Sequence, residues 1–113
     1  MSFNKKDKIK KQIEIKNIIY SGEKVKSHYI DYFFKKSKNK RMAVLLNRTI
    51  KKANKRNKIK RRIREIYRTI EKSNKIDIVL KIKTNVIHEK YKTLKNDVKI
   101  KIENIERKRE KSE

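Results

Sequence analysis

The sequence contains no cysteine, and its 13 acidic residues stand against 37 lysines and arginines. Without cysteine the chain forms no disulfide, no cysteine-based zinc site and no thiol nucleophile. The two histidines, His28 and His88, have no second ligand at metal-binding spacing, so we predict no metal site in the protein. No apolar run is long enough for a signal peptide or a membrane span, and we expect a cytoplasmic protein.

The few acidic residues are also poorly placed for catalysis. A metal-dependent protein nuclease needs several carboxylates converging on paired cations, whereas Glu65, Glu71 and Asp77 are set among lysines and arginines. The sequence offers no Ser-His-Asp or His-His arrangement for acid-base chemistry. We therefore predict no catalytic side chain in this protein.

The basic excess, by contrast, points to a polyanionic partner. A net charge of +24 on 113 residues, with 35% hydrophobic and 44% charged residues, indicates one domain with a small core. Neutralising phosphates releases condensed counterions, which favours nucleic acid as the partner. An anionic membrane surface is the weaker alternative.

The most informative segment spans residues 56–68, which hold five of the nine arginines. With Ile59 at zero on a helical wheel, the other isoleucines of the segment and Ile70 lie within about 40° of it and predict a buried stripe. Five residues fall together on the far side: Asn57, Lys60, Arg61, Arg64 and Arg68. Arginine's planar fork suits phosphate oxygens better than lysine's point charge. The segment predicts an amphipathic helix that packs on one face and binds polyanion on the other.

Periodicity along the rest of the chain predicts an α+β protein with a small mixed sheet covered by helices, in the order helix, strands, helix, strand, helix. The predicted helices span residues 8–21, from a start within 52–57 to about 72, and 87–109, where residues 98–102 also permit a strand. The predicted strands span residues 27–35, 41–47 and 76–82, the first two joined as a hairpin.

We predict residues 1–8 and 110–113 to be disordered tails around a single RNA-binding domain, residues 9–109. Gly22, the only glycine, suits a left-handed residue that ends the first helix. In that helix Ile9, Ile13 and Tyr20 share one face, and Ile15, Ile18 and Ile19 lie largely on another. Two apolar faces indicate a helix that is sandwiched or lines a groove.

The basic helix resembles the protein component of bacterial ribonuclease P. That family has an alanine, then Arg-Asn-Arg or Arg-Asn-Lys, then Lys-Arg and Arg-Glu, and here Ala53, Arg56-Asn57-Lys58, Lys60-Arg61 and Arg64-Glu65 match without a gap. Residues 15–19 before Gly22, 42–46 and 77–79 resemble the family's flanking elements, so the similarity spans about residues 8–105. The chain departs from the family at Thr49 and Lys51, which replace a lysine and a glycine, and at Ile15 and Ile19, which replace phenylalanines.

The resemblance implies a left-handed strand-helix-strand crossover, against the usual rule. It also implies a subunit that binds a catalytic RNA and the 5′ leader of precursor tRNA and promotes endonucleolytic removal of the leader. In that family the RNA does the chemistry with Mg²⁺, and no obligate protein partner or bound metal is expected for the protein.

Site residues follow from the motif and the predicted strand faces together. We expect the leader to lie in a cleft between the first helix and the sheet, where aromatic faces would stack on bases; core packing is the competing role for those aromatics. Asn57 has two open roles, RNA contact or helix capping. The predicted RNA-binding residues are Arg48, Lys51, Lys52, Arg56, Asn57, Lys58, Lys60, Arg61, Arg64 and Arg68. The predicted cleft residues are Lys16, Ile19, Tyr20, Tyr29 and Phe33.

Two other classes share the basic charge. A small ribosomal or RNA-chaperone protein would carry the same helix without needing an aromatic cleft. A basic amphipathic helix that docks on membranes or on an acidic partner would need no strands, and residues 76–82 argue against it.

Overall fold

The computed structural model describes residues 8–70 and 74–111, with side chains through residue 107. Three helices and four strands follow the predicted order, with a short 3₁₀ helix before the last helix. The elements are α1 (Gln12–Ser21), β1 (Glu23–Lys26), β2 (Ile30–Lys36), β3 (Arg41–Leu46), α2 (Ala53–Thr69), β4 (Ile76–Ile82), the 3₁₀ helix (Thr84–His88) and α3 (Tyr91–Lys111). No helix within the described ranges is long and apolar enough to cross a membrane.

The sheet has the order β1-β2-β4-β3, with β3 parallel to β4 and the other pairs antiparallel. The predicted hairpin between the strands at 27–35 and 41–47 is wrong, because β4 lies between β2 and β3. Every residue of β4 except Lys81 is buried, so this strand needs neighbours on both edges and cover on both faces. The parallel pair is joined through α2, which gives the strand-helix-strand unit; its handedness stays a prediction.

Helices α2 and α3 cover one face of the sheet and bury the larger core. The predicted stripe of α2 is confirmed: Ile59, Ile63, Ile66 and Ile70 are all buried there. The predicted last helix is confirmed over Tyr91–Lys111, where Leu94, Val98, Ile102 and Ile105 are buried, and the alternative strand at 98–102 does not form. Residues 87–90, also predicted helical, precede α3. Burying large aliphatic side chains at roughly 1.5–3 kcal/mol each makes this face the main source of stability.

Helix α1 covers the opposite face of the sheet with a smaller core. Ile15 and Ile18 pack there against Phe33, Ala43 and Val79. The other predicted apolar face of α1 divides: Ile9 precedes the helix and is buried, whereas Ile13 and Tyr20 are 67% and 87% exposed. The sheet is therefore sandwiched between helix layers, and α1 leaves its outer face to solvent.

Several predicted boundaries and conformations need correction. Gly22 has φ −80° and ψ 172°, so it is extended and not left-handed. Asn57 lies one turn inside α2 and Lys52 precedes the helix, so Asn57 does not cap it. Lys8 pairs with Met42 in a parallel bridge, which moves the predicted edge of the N-terminal tail.

The C-terminal end differs as well. Helix α3 continues through residue 111, two residues into the predicted C-terminal tail. Helix α2 ends at Thr69, and the predicted end near residue 72 lies outside the described residues, as do residues 1–7, 112 and 113 of the predicted tails.

Candidate nucleic-acid interface

Helix α2 presents cations on both sides of its buried stripe and on the surface opposite it. Asn57, Lys58, Arg61 and Arg68 are exposed, and Lys60 and Arg64 are half-buried beside the sheet. Arg48, Lys51 and Lys52 are exposed in the loop that leads into the helix. Nine of the ten predicted RNA-binding residues are thus outward-facing residues of α2 or of the loop that leads into it. We call this set of nine the α2 basic face.

The N-terminal segment extends the α2 basic face across the edge of the sheet. The Ile9 amide donates to the Met42 carbonyl at 3.0 Å, which holds Lys8 and Lys10 beside β3. The Arg64 guanidinium, followed by partial burial and by Lys60 and Lys10, lowers the pKa of Lys8. Several cations therefore crowd one small region, and an arriving phosphate relieves their mutual repulsion.

Arg56, the tenth predicted residue, has a different role in the structure. Its Nη1 donates to the carbonyl of Ile50 at 2.7 Å and to that of Asn47 at 3.3 Å. The Asn47 side chain in turn accepts from the Thr49 amide at 3.0 Å. Arg56 therefore ties the loop before α2 to the first turn of the helix and positions the loop cations Arg48 and Lys51.

Sequence reasoning missed the second basic flank of α2, which faces α3. Lys55 and Arg62 lie on that flank with Lys58, about 40–100° from Ile59 on the side opposite Lys60. The Arg62 guanidinium lies 5.5 Å from the centre of the Tyr91 ring, within the range of a cation–π contact. The same helical wheel contains this signal, because the wheel places cations on both sides of the stripe.

A strip of the sheet beside α1 remains uncovered. The register puts Lys26, Asp31, Lys81 and Leu45 in one row across the sheet, two residues from the row of Phe33 that α1 covers. Residues two apart on a strand share a face, so this row lies on the α1 side. Lys26 and Lys81 are exposed and Leu45 packs on the smaller core. We call this row the open strip.

The five predicted cleft residues do not all meet at the open strip. Lys16 and Tyr20 are exposed on α1, and Ile19 is half-buried against the smaller core. Phe33 is on the α1 side, but it is only 6% exposed and the Lys24 ammonium lies 5.1 Å from its ring centre. Core packing is thus the role that the structure gives Phe33.

The prediction that Tyr29 lies in the cleft on the α1 side of the sheet is wrong. Tyr29 precedes β2 and packs against the larger core on the α2 and α3 side. Burial, then a hydrogen bond with Glu89, raises its pKa. The prediction placed Tyr29 and Phe33 on one face because it assumed a continuous strand over residues 27–35. In the structure Ser27 Oγ donates to the Ile30 carbonyl and accepts from the Ile30 amide, which turns the chain before the strand begins.

Comparison with known proteins identifies the family. The ribonuclease P family model matches residues 3–106 of the chain. The ribonuclease P protein of Staphylococcus aureus has a similar structure, with a TM-score of 0.77 and 22% identity over 88% of this chain and 97% of that one. A mutant of it with defective mRNA degradation activity gives 0.78 and 22%, over 87% and 88%.

The ribonuclease P protein of Thermotoga maritima gives a TM-score of 0.72 and 23% identity, over 81% of this chain and 94% of that one. A comparison with curated proteins found no match. The solved structures confirm the α+β fold, and the family match covers nearly the whole described chain. The chain therefore belongs to the ribonuclease P family, as a protein subunit of that RNA-containing endoribonuclease.

Proposed function

We propose that this protein binds the catalytic RNA of ribonuclease P through the α2 basic face and promotes removal of the 5′ leader from precursor tRNA. The observation that carries the proposal is the division of α2, whose buried isoleucine stripe fixes the helix on the sheet while its cations face outward. Because the helix is already fixed on the sheet, its cations can contact RNA phosphates without any rearrangement of the core.

We further propose that the leader lies along the open strip. Lys26 and Lys81 supply positive charge there, and Leu45 and Ile19 supply apolar surface. Tyr20 is 87% exposed on the outer face of α1, so it does not belong to the open strip. The lysines contact the phosphates of the leader here. Its bases stack little, because the Phe33 ring is buried in the core.

The proposed division of labour leaves bond cleavage to the RNA subunit and its Mg²⁺ ions. The protein's residues bind and orient the two RNAs, in the cytoplasm and without an obligate protein partner. The family match does not favour a ribosomal or RNA-chaperone role. Neither role would explain why the sheet keeps an open strip.

Reconstitution with two variants separates the two surfaces. Arg61→Ala should weaken affinity for the catalytic RNA and lower the slope of log K against log salt by about one unit. Lys81→Ala should raise KM for a precursor with a long leader and leave a precursor with a one-nucleotide leader unaffected. Lys99→Ala, an exposed lysine of α3, is the matched control for both. Unchanged RNA binding by the Arg61 variant would contradict the proposed face.

A further inference from the structure

A groove lies between the second basic flank of α2 and the start of α3. It encloses about 130 Å³, and its floor is apolar, made by Ile59, Val86, Ile87 and Leu94. Val86 and Leu94 are fully buried, so the floor is fixed by the larger core. A preformed apolar floor of this kind suits a flat ring better than a solvated phosphate.

The rim of the groove is cationic. Lys55, Lys58 and Arg62 line it along α2. The Arg62 guanidinium lies 5.5 Å from the centre of the Tyr91 ring, which limits its movement, and Tyr91 itself is 37% exposed. An apolar floor beneath three cations is complementary to a molecule with an aromatic ring and a phosphate.

The groove has one acidic wall residue, Glu89. The Glu89 amide donates to the Val86 carbonyl at 3.0 Å, which fixes the backbone of this wall residue. A carboxylate accepts further hydrogen bonds and donates none. It therefore repels an acidic peptide, whose carboxylates would meet Glu89, and it accepts N–H donors on the edge of a nucleobase.

We propose that this groove binds one unpaired nucleotide of the RNA partner, with guanine preferred. Guanine alone among the four bases presents two adjacent donors, N1–H and the 2-amino group, that match both oxygens of Glu89. The ring lies on the isoleucine and valine floor and the phosphate meets the α2 rim. This inference rests on the proposed function, and it adds a base-reading site to a surface otherwise suited to backbone contacts.

The test is a titration of the full chain, carrying isotope-labelled isoleucine methyl groups, with GMP, AMP, CMP, UMP and inorganic phosphate. GMP should produce saturable shifts at the Ile59 and Ile87 methyls, with tighter binding than the other nucleotides. Glu89→Gln should weaken GMP binding about tenfold and remove most of the preference for guanine. Glu103→Gln, which removes the same charge from α3 and away from the groove, should leave GMP binding unchanged.

Two results would overturn the groove proposal. The first is that inorganic phosphate produces the same shifts as GMP, which would mean that only the cations of the rim bind ligand. The second is that the Ile59 and Ile87 methyls respond to no nucleotide. The cognate ribonuclease P RNA should displace GMP, and failure to displace it would show that no nucleotide of that RNA fills the groove. If the same preparation binds the RNA while GMP fails, only the groove proposal falls; if it does not bind the RNA, the proposed function falls.

Discussion

Arg41 and Asp77 are register partners on the parallel strands β3 and β4, and the guanidinium holds the carboxylate with two hydrogen bonds, of 3.2 and 2.7 Å. Arg41 Nη2 also lies 2.6 Å from Glu14 of α1. Asp77 first, and Glu14 with it, raise the pKa of Arg41 despite the opposing effect of burial. One side chain thus joins the two parallel strands to the helix that borders the open strip.

Arg41→Ala should lower the free energy of unfolding by about 3 kcal/mol, because it leaves the buried Asp77 carboxylate without its charged partner. The free energy of unfolding of Arg41→Lys should lie between those of Arg41→Ala and the unsubstituted chain, since lysine keeps the charge but cannot form two parallel hydrogen bonds. Urea unfolding followed by circular dichroism measures both. Lys38→Ala, in the exposed turn, should change stability by less than about 0.5 kcal/mol, and a similar small change for Arg41→Ala would refute the structural role.

Gly22→Ala tests the close approach of α1 to β2. A Cβ at this position would lie 2.4 Å from the Ile18 carbonyl oxygen and 2.6 Å from that of Phe34. Both obstacles are backbone, so relief requires α1 to move, at a cost of about 2 kcal/mol. Asn17→Ala, exposed on the same helix, is the control in the same urea experiment. A neutral Gly22→Ala variant would show that α1 is free to shift.

The buried hydroxyl of Tyr32 should make the stability of the protein fall in alkali. Burial, then a 2.7 Å hydrogen bond to Asp97, raises the pKa of its hydroxyl far above the usual value. Since the folded pKa is the higher one, stability is intact below about pH 10, where the unfolded tyrosine ionises, and falls as pH rises beyond it.

The measurement is the urea midpoint between pH 7 and pH 11. Tyr32→Phe should be less stable by about 1 kcal/mol at pH 7 and should lose stability less steeply above pH 10. Lysine deprotonation is common to both proteins and cancels in the difference. Tyr20→Phe, at an exposed residue, should follow the unsubstituted chain, and parallel curves for Tyr32→Phe would contradict the assignment.

Arg56→Ala should loosen the loop before α2. Its loss frees the carbonyls of Ile50 and Asn47, so hydrogen exchange at the Ile50 amide, which donates to Asn47 at 3.0 Å, should accelerate. RNA affinity should fall by more than for Lys58→Ala, while the salt slope changes by a similar amount in both variants. Lys58→Ala removes the same charge two residues away and should leave exchange at Ile50 unchanged; equal exchange in the two would refute the positioning role.

Local periodicity was enough to predict the elements that carry the interface. The spacing of Ile59, Ile63, Ile66 and Ile70 defines the buried side of α2, because a helix repeats every 3.6 residues whatever its neighbours. The strand predicted at residues 76–82 matches β4 residue for residue. The ordering of the strands was not predictable in this way, since the register partners of β2 lie 40 to 52 residues later in the chain.

The sites that depend on several elements were missed for the same reason. The open strip needs the register of four strands, and the groove needs the 3₁₀ helix to lie against α2. Arg56 looked like its neighbours in the motif, because nothing local shows that its guanidinium turns back to the loop carbonyls. The RNA contacts of individual residues remain predictions, and the structure supplies their arrangement.

The most direct test of the central claim is leader cleavage of precursor tRNA by the cognate catalytic RNA at physiological Mg²⁺ and salt, with the chain or a charge-reversed form of it. The unsubstituted chain and the control Lys95→Glu/Lys99→Glu, on α3, should stimulate cleavage alike. Lys60→Glu/Arg61→Glu on the α2 basic face should abolish stimulation while keeping the helical circular dichroism. Equal stimulation by the two double variants would show that the α2 basic face does not bind the catalytic RNA, and cleavage by the protein without RNA would show that the protein itself carries the chemistry.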